Sequence, residues 1–280
     1  MNEQQYETAI IDGDSIAWII GYRHREEFIE GLVIADVDTF VLSILKAVGA
    51  TYSVGFLGND TKTSFRRDLV PSYKSNRGET PDWYKKWSEL INTHLISRWS
   101  FTRAHDGYEA DDMVAAAAGC FTNFIICGVD KDLKQIPGNH YNYSKAEFIQ
   151  ITEREGKCRL ALQVLTGDST DGIRGLPKVG PKTAEKMLEG IPEDVSLLVP
   201  CLSAYINHFG EPQGTKEFYN VYMQVKLHAD INGYEATRYA IELEFSVITA
   251  PPKEVLPETP VPPLEDGPEY NIHNIFKIAS

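Results

Sequence analysis

The sequence predicts an α/β protein: a central, mostly parallel sheet flanked by helices, followed by a smaller helical part. Three short apolar runs, "TAIIDGD" from Thr8, "ATYSVGFLGND" from Ala50 and "NFIICGVDKD" from Asn123, each lead into turn residues and an aspartate, as buried parallel strands do. Segments with helical spacing separate them, and strand–helix alternation favours a parallel sheet. After Cys158 the apolar spacing is helical almost throughout.

Taken in order, the first strand closes on Asp12-Gly13. "DVDTFVLSILKAVGA" then places Phe40, Val41, Ile44, Leu45 and Val48 at helical spacing, with Gly49 as the stop. The second strand has Asp60 just past its end. "DWYKKWSELINTHLISRW" and "EADDMVAAAAG" are helical by period and precede the third strand, which runs into Asp130 and Asp132. From Ala250, "APPKEVLPETPVPP" reads as an extended proline-rich linker, and no internal repeat is found. The expected divisions are residues 1–157 for the α/β core, 158–250 for the helical region and 251–280 for a Pro-rich acidic tail.

At 280 residues and 42% hydrophobic, the chain is long enough for a sizeable core. It has no apolar run long enough to span a membrane and no signal-peptide pattern, so a cytoplasmic location without a membrane partner is expected. Its four cysteines form no CxxC pair and read as buried thiols. A net charge of −13 argues against a nucleic-acid partner until its distribution is considered. Residues 61–103 carry nine Lys/Arg against four Asp/Glu, and residues 174–186 four against one. Two basic islands therefore stand in an acidic chain.

The acids carry the chemistry. Ligands of open parallel sheets bind outside the carboxyl ends of the strands, where Asp12, Asp60, Asp130 and Asp132 are expected. Glu109, Asp111 and Asp112 open a helix, where simple capping of its N-terminus is the competing reading. "GDSTD" adds Asp168 and Asp171, for nine acidic groups in all. Two carboxylates 4 Å apart repel by roughly 4 kcal/mol at an effective dielectric of 20, so such a set calls for cations. Oxygen donors without clustered His or Cys favour Mg²⁺, with Mn²⁺ able to substitute. Two such ions suit phosphodiester hydrolysis.

"SFRRDLVPSYKSNRGETPDWYKKW" supplies cations to match. Lys74 and Arg77 can meet one phosphate, while Trp83, Tyr84 and Trp87 offer stacking faces beside Lys85 and Lys86. A solvated amphipathic helix accounts for residues 83–98 equally well. In "GIRGLPKVGPKTAEKML", Gly175 and Gly180 permit tight turns and Pro181 suits a first helical position; the amides there, with Lys178 and Lys182, can hold a phosphate. A plain helix-turn-helix packing unit is the alternative.

In combination, "IIDGDS", "SFRRDL", "YKSNR", "EADD", "GVDKDL" and "GDSTDGIRGLPKVGPKTA" resemble, in order, the 5′-nuclease family of bacteriophage flap endonucleases and the 5′-nuclease domain of bacterial DNA polymerase I. The resemblance runs to about Glu189. It implies a PIN-like 5′-nuclease fold with a helical arch at about 74–100 and a DNA-binding helix-three-turn-helix at about 168–190. The implied activity is 5′-3′ exonuclease and 5′-flap endonuclease on DNA at single-strand/duplex junctions, extending to RNA–DNA hybrids, by a monomer of stand-alone, phage-like type. Carried over by motif, Asp12, Asp60, Glu109, Asp111 and Asp112 would serve a first Mg²⁺, and Asp130, Asp132, Asp168 and Asp171 a second. Lys74 and Arg77 would polarise the scissile phosphate, with Tyr73 stacking beside them. Arg66, Lys85, Lys86, Trp83, Trp87, Gly175, Lys178, Gly180 and Lys182 would contact DNA, and a monovalent cation would sit at the helix-three-turn-helix. A haloacid-dehalogenase-like phosphohydrolase fits poorly, because its later acids are usually spaced GDxxxD and "GDSTD" is GDxxD. A non-catalytic DNA-structure-binding protein of the same fold would be expected to have lost metal carboxylates, and none of the motif acids is missing.

Overall fold

Strand β1 (Thr8–Asp12) lies inside a six-stranded sheet, and all five of its residues are buried. The structure is a computed structural model describing residues 6–26, 29–59 and 64–228. Asp60 and the Pro-rich acidic tail lie outside the described residues. Burial on both faces is why β1 reads as an unbroken apolar run. Its Ile10 sits opposite Val54 of β2 (Tyr52–Leu57) on one side and Ile126 of β4 (Phe124–Cys127) on the other, both parallel.

Three strands were not legible in sequence: β3 (Phe101–Arg103), β5 (Gly138–Asn142) and β6 (Glu147–Ile151). "FTR" is too short and "GNHYN" too polar to give a pattern. The sheet order is β3-β2-β1-β4-β5-β6, parallel except for the antiparallel edge strand β6. Successive strands run outward from β1 through β2 to β3, and then restart on its other side with β4. That reversal is the switch point at which open α/β sheets bind ligands.

Alternate residues of the strands face different layers. Ala9, Ile11, Ile125 and Cys127 pack against α1 (Asp14–Arg23), α2 (Glu30–Val48) and α4 (Asp82–Trp99), through Ile16, Ile20, Val37, Val41, Ile44, Trp87, Ile91 and Leu95. Ile10 and Ile126 pack on the opposite face with Val114 and Ala117 of α5 (Ala110–Ala118). Helix α2 ends at Gly49, whose φ of 64° is the left-handed conformation a glycine stop supplies. Helix α4, within the span expected to form the arch, is therefore seated along α1 and α2 by a buried face, while its Tyr84 and Asn92 line the cavity described below. Its apolar residues at 87, 91 and 95 recur every fourth position and need a partner surface.

The short helix α3 (Phe65–Leu69) follows the second strand, and the C-terminal half is built from α6 (Glu153–Thr166), the two-residue strands β7 (Gly167–Asp168) and β8 (Ile173–Arg174), α7 (Pro181–Leu188), α8 (Leu198–Phe209) and α9 (Glu211–Val225). Thr152 starts α6 in a capping box with Glu155, so this helix straddles the 157/158 division. The helical part is not set apart from the sheet either: Ala161, Leu165, Ala184, Tyr205 and Phe218 share one core with Phe65, Tyr73 and Tyr108. Those three aromatics flank the segments that bear candidate site residues.

Candidate active site

Asp12 ends β1 at the switch point and is only 5% exposed. Its Oδ1 accepts from the Asp14 amide at 3.3 Å, and its carbonyl oxygen accepts from Tyr143 Oη at 2.8 Å. Gly13 between them packs against β2 so closely that a β-carbon would stand 2.8 Å from Leu57 Cδ2 and the Phe56 carbonyl oxygen. Asp14 accepts from the Gly58 amide at 2.5 Å, which ties the end of β2 to the start of α1. Asp130 follows β4, and Glu109 and Asp111 stand at the start of α5. Asp12, Asp14, Glu109, Asp111 and Asp130 all line one cavity of about 430 Å³.

Proximity and burial show in the titration of these groups. Burial, then the charges of Asp14 and Asp130, push the Asp12 carboxyl up to about 8. Burial, then Asp112 and Glu109, raise Asp111 well above the carboxylate range. Glu109 goes the other way: burial opposes ionisation, but Arg66 and Lys74 together hold it below its usual value. Among the described residues no three acidic, His or Cys side chains already close into a metal cage. The donor set nevertheless fits hard divalent cations, since it is all oxygen and holds more negative charge than its own cations offset.

Of the second set only Asp130 faces this cavity. Asp132 accepts from Gln163 Nε2 at 2.7 Å, with Arg159 at 3.4 Å, and burial followed by Asp130 pushes its carboxyl to about 6. Asp168 is paired with Lys131 at 2.6 Å and Asp171 with Arg77 at 2.6 Å. Lys74 donates to Glu109 Oε2 at 2.7 Å, and its φ of 55° is a strained conformation for a non-glycine residue. The turn is held there by the loop of acids: the Lys74 amide donates to the Asp171 carbonyl at 2.8 Å, and Asn76 Nδ2 to the Ser169 carbonyl at 2.8 Å.

Burial corrects the expectations for Asp112 and Arg66. Asp112 does not face the cavity. It is 0% exposed, and its oxygens accept two N–H bonds from Arg66 at 2.7 Å each, one from the His228 amide at 2.9 Å and one from the Glu109 amide at 3.1 Å, leaving no lone pair directed at a metal. Arg66 is 1% exposed and also donates to the Gln224 and Lys226 carbonyls, so its guanidinium cannot reach DNA. A fork of five donors fits this cage, and water has no access to it.

The family model described as "5′-3′ exonuclease, N-terminal resolvase-like domain" matches residues 7–159, which contain the cavity acids and the Lys74 turn. This chain belongs to that family. It is 27% identical over 246 residues to a 5′-3′ exonuclease of Bacillus subtilis, an alignment covering 80% of this chain and 77% of that one. It is 36% identical over 146 residues to the DNA polymerase I of Rhizobium leguminosarum, covering 45% of this chain but only 14% of the polymerase. The fold is that of the T5 D15 protein co-crystallized with metal ions, at a TM-score of 0.56 and 15% identity, covering 87% of this chain and all of that one.

Other residues of this 5′-3′ exonuclease relative sort by exposure. Tyr73 is 3% exposed and donates to Glu109 Oε2 at 3.0 Å, and burial raises its phenol, so it orients a carboxylate and offers no stacking face. Trp87 is buried at 1%, with its Nε1 donating to the His24 carbonyl. Trp83 and Tyr84 are half-buried around Trp18, which stacks on Tyr84 at 4.3 Å between centroids and meets Trp83 edge-on at 5.2 Å. Lys85 and Lys86 are exposed. Gly175 is a packing residue, since a β-carbon there would collide with Gly167 and Leu165 backbone atoms. Gly180, open to solvent, caps α7 ahead of Pro181; Lys178, at a φ of 66°, and Lys182 are exposed nearby.

Among the cavity-lining residues that went unassigned from sequence are Asp14, Trp18 and Arg67. Asp14 had a signal, lying two residues past Asp12 in "IIDGDS", but at the first position of a helix an acid reads as a favourable dipole partner. Trp18 sits one turn further along that helix, and Arg67 has no pattern to mark it. Among the described residues no helix is long and apolar enough to cross a membrane.

Proposed function

We propose that this chain is a structure-specific 5′ nuclease, a Mg²⁺-dependent 5′-3′ exonuclease and 5′-flap endonuclease that hydrolyses DNA phosphodiesters near single-strand/duplex junctions during replication or primer removal. Action on RNA–DNA hybrids and a monomeric state belong to the same reading. The observation that carries it is the gathering of Asp12, Asp14, Glu109, Asp111 and Asp130 around one cavity at the sheet's switch point, with Lys74 seated on Glu109.

When bound, divalent ions supply the positive charge that polarises a phosphodiester and acidifies water. Asp12, Asp14, Glu109, Asp111 and Asp130 would hold the first. A second, on Asp130, Asp132, Asp168 and Asp171, requires Lys131 and Arg77 to leave the carboxylates they pair with. Tyr73 Oη keeps Glu109 oriented. Lys74, whose ammonium stands beside Glu109 on the cavity wall, would meet the scissile phosphate, where charge grows in the transition state. Arg77 is placed to do the same from Asp171.

The test is cleavage of a 5′-flap DNA in Mg²⁺, with EDTA as control. Asp130→Asn is expected to lose most cleavage while still binding the flap in Ca²⁺, which occupies oxygen sites without supporting the chemistry. Absence of metal-dependent cleavage of flapped or recessed 5′ ends refutes the activity; full activity of Asp130→Asn refutes the assignment of the acids.

A further inference from the structure

Two consecutive arginines open helix α3, and the fold separates them. Successive helical residues point about 100° apart, so only one can enter the core. Arg66 does, at 1% exposure, and is consumed by Asp112 and two carbonyls. Arg67 is half-buried and lines the cavity that holds the five carboxylates.

What distinguishes Arg67 is that it is uncommitted. Among the described residues, the other two cationic side chains on the cavity wall are neutralised, Lys74 by Glu109 at 2.7 Å and Arg77 by Asp171 at 2.6 Å. Among the described residues the Arg67 side chain makes no ion pair and no hydrogen bond; only its amide is used, donating to Ser64. A guanidinium beside so many acids that pairs with none of them has no part in holding the fold together. Its five donors remain for a ligand, and the ligand class that a planar fork recognises bidentately is a carboxylate or a phosphate. An anion meeting this wall must also approach the acids, so it is one that arrives with cations, as a nucleic-acid phosphate does.

We infer that Arg67 binds a second phosphate of the substrate strand, next to the one held at Lys74. The inference rests on the nuclease reading and deepens it. Arg67 lies seven residues before Lys74 on the segment that leads into the Lys74 turn, so a strand anchored at Lys74 brings a neighbouring phosphate to the same wall. The consecutive arginines thus divide the work: one builds the site and its neighbour reads the backbone.

The test compares wild type, Arg67→Gln and Arg67→Lys for binding of 5′-flap DNA in Ca²⁺. Binding is measured over a range of salt and with single neutral methylphosphonate linkages placed at each position around the cleavage site. For wild type one linkage flanking the scissile phosphate is expected to weaken binding. In Arg67→Gln that linkage becomes silent, and the slope of log affinity against log salt falls by about 0.7–0.9. Arg67→Lys retains the slope and loses part of the affinity. An Arg67→Gln protein with the wild-type slope and linkage profile overturns the inference, as does a large drop in its thermal midpoint, which would make Arg67 structural. If wild type itself fails to bind the flap, the nuclease reading falls first and the inference with it.

Discussion

Replacing Arg66 by methionine removes a guanidinium that makes two bonds to Asp112 at 2.7 Å and one each to the Gln224 and Lys226 carbonyls at 3.0 and 2.9 Å. The partner left behind is a carboxylate with no exposed surface. Burial alone would raise its pKa; Arg66, with support from the His228 amide, holds it below the usual range. Breaking such a pair from one side costs about 3–5 kcal/mol, because the remaining charge must be neutralised or hydrated inside the protein. Asp112→Leu, which strands the guanidinium, falls in the same range. The double variant Arg66→Met/Asp112→Leu leaves no buried charge, but it orphans two carbonyls and the Glu109 and His228 amides, each worth about 1–3 kcal/mol. Each single already orphans two of those groups and strands a charge besides, so the double, which strands none, is expected to lose less than the singles' sum. Urea unfolding of the four proteins measures the cycle, and the singles are expected to melt about 6–20 °C lower. If each single lies within about 1 kcal/mol of wild type and the double is additive, Arg66 and Asp112 do not form a coupled buried pair, and Arg66 regains its candidacy as a DNA contact.

The other expectations can be checked alongside. Lys74→Ala is expected to lower single-turnover cleavage of a flap by about 100-fold or more while changing Ca²⁺-supported affinity little; equal losses in rate and affinity would reduce Lys74 to a backbone contact. Gly175→Ala forces a β-carbon into the Gly167 backbone and is expected to cost at least about 1–3 kcal/mol, whereas Gly180→Ala meets nothing within 4 Å and stays under about 1 kcal/mol; thermal unfolding that ranks them equally refutes the packing argument. Burial, reinforced by Arg66, depresses the His228 imidazole to about 4 from an ordinary 6.5. The unfolded chain therefore binds the proton first as pH falls, and stability declines between pH 6.5 and 4 by up to about 3 kcal/mol, a slope that His228→Phe should flatten in urea titrations across that range.

The residues themselves announced the sheet and most of the acids, because both signals are local. A strand buried on both faces must be apolar at every position, as "AII" in β1 is, and an aspartate directly after such a strand can only stand at the sheet's carboxyl edge. The Lys74 turn was legible for a similar reason, since a basic pair ahead of a helix needs no distant partner to be noticed. Strands β3, β5 and β6 were not, because an edge or half-polar strand is specified by its neighbour's ladder more than by its own composition.

What only the tertiary structure decided is which member of each pair of like residues faces in. Sequence alone cannot tell Arg66 from Arg67, Asp111 from Asp112, or Trp83 from Trp87; each pair has one chemistry, and the difference is a rotation about a helix axis. The contacts that resolve them come from far away in the chain. Arg66 and Asp112 are enclosed by the carbonyls of Gln224 and Lys226 and the amide of His228, and Trp87 by the carbonyl of His24 and the faces of α1 and α2. A buried charge must satisfy every donor and acceptor it carries, so the position that meets those distant groups is drawn into the core, and its neighbour stays on the cavity wall or nearer the surface.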